Sequence, residues 1–90
     1  MERTGRSVVT APVRYYFNIF DDVSVVDEEG QELPDEAAAR REAVRGGREL
    51  MCDQVRQGRL NLSHRIEVAD EQGRVVLTLP FGALVKIEGE

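Results

Sequence analysis

The chain predicts an α+β fold: a small antiparallel sheet of about four strands, in the order β-β-α-β-β, with one helix packed on one face. Three observations carry that expectation. Two matched segments, Arg65-Ile66-Glu67-Val68-Ala69-Asp70 and Arg74-Val75-Val76-Leu77-Thr78-Leu79, flank Glu71-Gln72-Gly73 and read as a β-hairpin. A single strongly helical segment precedes them, built on Glu36-Ala37-Ala38-Ala39-Arg40-Arg41-Glu42-Ala43. Near the start, Arg14-Tyr15-Tyr16-Phe17-Asn18-Ile19-Phe20 is aromatic and β-branched, and reads as a strand.

The elements follow in order. Residues 1–12 have no apolar period and are expected as a flexible tail, so residues 13–90 form one small domain. In the first strand Tyr15, Phe17 and Ile19 share one face, while Tyr16, Asn18 and Phe20 share the other. Asp21-Asp22 breaks it. Val23-Ser24-Val25-Val26-Asp27 offers a short second strand, closed by the turn-like Asp27-Glu28-Glu29-Gly30. Gln31-Glu32-Leu33-Pro34 leads into the helix, whose acidic first turn and late Arg56 and Arg59 complement its dipole. Gly58 is placed to end it.

At about 100° per residue, Ala39, Ala43, Val44, Gly46, Gly47, Leu50, Met51 and Val55 fall in one arc, the expected buried face. Gly46 and Gly47 each cost about 1 kcal/mol relative to alanine in a helix interior. Small residues at four-residue steps (Ala39, Ala43, Gly47) would let the helix approach its sheet closely; a kink or a tolerated weakness explains the pair equally well. After the helix, Ile66 and Val68 alternate with Arg65 and Glu67, and Val75, Leu77 and Leu79 oppose Val76 and Thr78. Pro80 ends that strand. Phe81, Leu84, Val85 and Ile87 suggest a helical turn and then a short edge strand.

Composition narrows the function. With 17 acidic and 12 basic side chains the net charge is -5, which makes a nucleic-acid partner an unfavourable expectation. Lys86 is the only lysine; the other basic residues are arginines, as a GC-rich genome produces and as bidentate recognition uses. Cys52 is the only cysteine, so no internal disulfide can form, and a cytoplasmic setting is expected. No apolar run approaches the roughly 20 residues of a membrane helix, so no membrane partner is expected.

No motif implies a cofactor or a metal. His64, the only histidine, has no companion at ligand spacing and reads as a strand-entry residue. Cys52 plots on the polar side of the helix, with no base nearby in sequence. Asp21, Asp22, Asp27, Glu28 and Glu29 lack the alternating order of a calcium loop and read as a solvated turn. Arg41, Arg45, Arg48 and Arg56 plot together opposite the buried arc, but Glu42, Glu49 and Asp53 lie beside them. Arg45–Glu49 and Glu36–Arg40 fall at i,i+4 spacing, so a face laced with ion pairs is expected.

The clearest functional pointer is an apolar surplus. Four of the five aromatic residues crowd into the first strand with groups facing both ways, and one helix covers one sheet face. Tyr16, Phe20, Val76 and Thr78 are the candidate contact residues for the second face. The expected function is a non-enzymatic module that self-associates as a homo-oligomer, a homodimer in the simplest case, or binds a protein partner through its sheet. The alternative is a regulator that binds protein or nucleic acid through Arg41, Arg45 and Arg48.

A series of residues carries a family resemblance: Arg14-Tyr15-Tyr16-Phe17, Asp27-Glu28-Glu29-Gly30, Glu32-Leu33-Pro34, Ala38-Ala39-Arg40-Arg41-Glu42-Ala43, Leu62-Ser63, Arg65-Ile66-Glu67-Val68 and Val76-Leu77-Thr78-Leu79-Pro80-Phe81. The chain resembles a family of short bacterial proteins, common in alphaproteobacteria and catalogued as a domain of unknown function. The resemblance spans residues 14–81 and implies no activity and no site residue. The chain departs from it at Gly46-Gly47, where at least one alanine is expected, and in its extra stretch before Arg14. A looser likeness, resting on element order alone, is to the HicB-type antitoxin fold.

Overall fold

The computed structural model describes residues 12–89; the expected tail, residues 1–12, lies outside the described residues but for Pro12. The elements are β1 (Val13–Phe20), β2 (Ser24–Val25), β3 (Gln31–Leu33), α1 (Glu36–Arg56), β4 (Arg65–Ala69) and β5 (Val75–Pro80), followed by a 3-10 turn at Phe81–Ala83. The class is α+β as expected, with five antiparallel strands rather than about four. The added one is β3.

Strand order is β2-β1-β4-β5, and β3 also pairs with β1. Ile19 and Phe20 of β1 face Val25 and Ser24, while Val13, Arg14 and Tyr15 face Leu33, Glu32 and Gln31. Between these two short strands the Phe17 N–H would be left without a ladder partner. It donates instead to Asp27 Oδ2 at 3.1 Å. Asp27 Oδ1 accepts from the N–H groups of Glu29 (3.1 Å) and Gly30 (3.0 Å), and the Asp27 N–H donates to Asn18 Oδ1 at 2.9 Å. Gly30 is required here: its φ is 70°, and a Cβ would fall 2.9 Å from the Tyr15 carbonyl oxygen. One carboxylate thus holds the turn that was expected to be merely solvated.

The helix begins where Asp35 Oδ1 accepts the Ala38 N–H at 2.9 Å. It ends in a Schellman motif: Gly58 at φ 88° donates to the Val55 carbonyl, and Arg59 donates to that of Gln54. Its buried row is Ala39, Ala43, Gly47 and Met51, at four-residue steps. The two glycines part company. Nothing lies within 4 Å of a Cβ at Gly46, whereas one at Gly47 would enter the envelope of Leu84 Cδ1 and lie 3.0 Å from Ile66 Cδ1. Gly47 therefore sets the helix–sheet distance, and Gly46 is a tolerated weakness. Val55, placed in the arc by its angle, is 59% exposed because it lies beyond Met51, the last buried residue of the helix.

Under the helix, Tyr15, Phe17 and Ile19 meet Ile66, Val68, Leu77 and Leu79 across the strands. The β4–β5 turn is held by Asp70, whose Oδ1 accepts the N–H groups of Gln72 and Arg74, both at 2.9 Å. Phe81 and Leu84 close the end of the core. The Phe81 N–H donates to the His64 carbonyl at 2.7 Å, fixing that closure to the entry of β4. The short edge strand expected after Phe81 is absent among the described residues: burial of Leu84 against Gly47 turns the segment inward, leaving Ile87 exposed.

Candidate functional site

The helix occupies one face of the sheet, and the other face carries the predicted contact residues Tyr16, Phe20 and Thr78, whereas Val76 packs against the core. By strand alternation Arg14, Tyr16, Asn18 and Phe20 of β1 point there, beside Arg65, Glu67 and Ala69 of β4. Tyr16 and Phe20 are both half-buried, Thr78 is exposed, and Val76 is half-buried at a β-bulge opposite Val68 and Ala69.

The two aromatic residues differ in what covers them. Phe20 pairs across the strands with Arg65, whose guanidinium carbon sits 4.4 Å from the Phe20 ring centroid. Arg65 Nε also bonds Glu67 at 3.0 Å, so the stacked guanidinium is held in place. Phe20 is thereby roofed. Tyr16 instead lies in a row with Ala69 and Val75, residues in direct cross-strand register. Val26 joins them at one end of a shallow depression of about 250 Å³ that Tyr16, Asn18 and Ala69 also line. Val26 is 64% exposed and Val75 is 53% exposed. The apolar band therefore runs Val26, Tyr16, Ala69, Val75, exposed at its two valines, half-buried at Tyr16 and buried at Ala69. Sequence reasoning found Tyr16 but missed the two valines, because only strand register brings them alongside it.

Two carboxylates frame this band. Burial works to raise the Asp27 carboxyl, but N–H donation from Gly30, Phe17 and Glu29 outweighs it and holds Asp27 below the ordinary carboxylate range. The Arg74 N–H leads the same effect at Asp70, with the Gln72 N–H and the Arg74 guanidinium adding to it. Both groups are frozen as structural anions and neither is poised for proton transfer.

The arginine face is largely committed to its own helix. Arg45 is clamped between Glu42 and Glu49, and these acids raise its guanidinium further. Arg48 Nε donates to the Leu84 carbonyl at 2.8 Å, Arg56 pairs with Asp53 at 3.2 Å, and Arg41 is exposed. Glu36 and Arg40, also four apart, form no ion pair. With Arg40, Val44 and Cys52, the three candidates Arg41, Arg45 and Arg48 line a groove of about 540 Å³ on the outer helix surface.

His64 stands immediately before β4 and is only 7% exposed. Its Nδ1 lies 3.2 Å from Gln54 Nε2, and its Nε2 lies 3.5 Å from Asp22 Oδ1. Cys52 is exposed. Among the described residues no group of three histidine, cysteine or acidic side chains could hold a metal ion, and no helix is long and apolar enough to cross a membrane.

No curated protein and no solved structure gives a significant match, so the likeness to HicB antitoxins remains one of element order. A family model does match, across residues 14–82, and those residues include the helix, the apolar band and every strand but for the first residue of β1. The chain belongs to the family described as domain of unknown function DUF6894.

Proposed function

We propose that this protein is a non-enzymatic interaction module that self-associates through the open face of its sheet, as a homodimer. One observation carries the reading: on the face opposite α1 the exposed Val26 and Val75 flank the half-buried Tyr16, with the buried Ala69 between them. Burying a valine or tyrosine of this kind contributes about 1.5–3 kcal/mol, and a stable dimer needs roughly 1,200–2,000 Å² of buried surface. The small core adds a reason to associate, since a domain of this size buries only about 60% of its unfolded surface when alone.

Arg14–Glu32 and Arg65–Glu67 border the band as internally paired charges, which suits a polar rim around an apolar centre. Light scattering over a range of concentrations tests the proposal. A dimer for the wild type and a folded monomer for Tyr16→Glu are expected. A wild-type chain that stays monomeric at high concentration overturns it.

A further inference from the structure

We propose that Asp22, His64 and Gln54 form a protonation-dependent latch that ties the β1–β2 turn to the last turns of α1. His64 is buried at one end of a polar cavity of about 250 Å³, which Asp21, Asp22, Asp53, Gln54 and Arg59 also line. Its ring edge is fixed against Phe81, with centroids 5.8 Å apart and planes at 78°.

The amide orientation and the ring tautomer go together. With Gln54 Nε2 facing His64 Nδ1 at 3.2 Å, a neutral ring carries its proton on Nε2, toward Asp22. That state has two flaws. The Nε2–Asp22 separation of 3.5 Å is too long for a strong bond. Gln54 Oε1 is buried with no partner, in a cavity whose charged rim is three carboxylates against one guanidinium.

A neutral Nδ1–H ring beside a turned amide would serve Oε1 but leave the Nε2 lone pair against Asp22, so only the protonated ring satisfies both groups at once. The imidazolium donates from both nitrogens. The Gln54 amide turns over, so that Oε1 accepts from Nδ1–H and its NH2 group replaces the stranded oxygen on the acidic side. Nε2–H then draws Asp22 into a charge-assisted bond of about 2.8 Å. The charged groups facing the ring are Asp21 and Asp22 from the β1–β2 turn, Asp53 from α1, and Arg59 from the segment after it. Arg59 is already engaged with Asp22 Oδ2 at 2.7 Å, leaving Oδ1 for the imidazole. Asp22 closes the turn that carries the exposed Val23 and Val25, so the proton acts on the position of β2.

The test is a nitrogen-detected NMR titration of the His64 ring and the Gln54 side-chain amide from about pH 8 to about pH 5. The expected result is an Nε2–H tautomer at high pH. On acidification the Gln54 amide resonances, and those of residues 21–23, move with the same midpoint as the ring. Gln54→Met removes the acceptor, so the Nδ1–H bond seen on acidification in the wild type should be lost, while Asp22→Asn uncouples the turn but not the amide. The backbone spectrum reports whether each variant stays folded. An Nδ1–H tautomer at high pH, a Gln54 amide indifferent to the titration, or residues 21–23 that still follow the ring in Asp22→Asn overturns the latch.

Discussion

The adjacent glycines of α1 offer a paired test of how the helix meets the sheet. Alanine is worth about 1 kcal/mol more than glycine in a helix interior, so propensity alone predicts equal stabilisation at both positions. The surroundings separate them. At Gly46 a new methyl group meets open space, and Gly46→Ala should stabilise the fold by about 1 kcal/mol, raising Tm by roughly 4–8 °C for a domain of this size. At Gly47 the methyl group would press on Leu84 Cδ1 and reach 3.0 Å from Ile66 Cδ1, and both of those side chains are buried. Overpacking of that kind costs about 1–3 kcal/mol, which offsets or exceeds the helical gain. Gly47→Ala should therefore be neutral, or destabilising by up to about 2 kcal/mol. Urea and thermal unfolding followed by far-UV circular dichroism measure both. A cycle with Leu84→Ala sharpens the comparison, because freeing space beneath the helix should recover the propensity gain at position 47. Equal stabilisation at 46 and 47 would refute the close approach of α1 to Leu84 and Ile66.

Other outcomes follow from the same structure. Asp27→Ala strands the half-buried Phe17 N–H and should cost about 1–3 kcal/mol by urea unfolding. Because Asp27 and Asp70 are held below the ordinary carboxylate value of about 4, their contribution is complete above that value in the unfolded chain. The part of the stability that these two carboxylates supply should be constant from about pH 7 to about pH 5 and be lost below about pH 4, and the Asp27→Asn, Asp70→Asn double variant should show a shallower acid limb. Arg45→Ala should leave the urea unfolding midpoint nearly unchanged, since the ion pairs it makes with Glu42 and Glu49 are screened by solvent. The wild-type chain should show no salt-sensitive retention on DNA. Retention that disappears in an Arg41→Gln, Arg45→Gln, Arg48→Gln variant would favour the arginine face over the sheet.

Much of the architecture was legible in residues that act locally. Gly58 ends α1 as expected because left-handed closure is a property of a few neighbouring residues. The β4–β5 hairpin followed from period-two alternation around residues 71–73. What escaped the sequence depends on contacts between distant segments. Gln31-Glu32-Leu33 has no strand pattern of its own and becomes β3 only because Val13, Arg14 and Tyr15 offer it an edge. Asp27 looked like one acid among five until the gap between β2 and β3 exposed the Phe17 N–H to it. Phe20 and Tyr16 looked equivalent until register set Arg65 over one and Val75 in the row of the other. The helical turn expected after Pro80 forms at Phe81–Ala83, but the edge strand expected beyond it does not, because Leu84 packs inward in the space left by Gly47.

The claim that the open sheet face is a self-association surface is tested most directly by the molar mass of the full chain in solution as concentration is raised, alongside Tyr16→Glu. The account predicts twice the 10.1 kDa chain mass for the wild type and a single chain mass for the variant, with unchanged circular dichroism. A wild-type mass of 10.1 kDa at every concentration, or a Tyr16→Glu dimer as tight as the wild type, would contradict it.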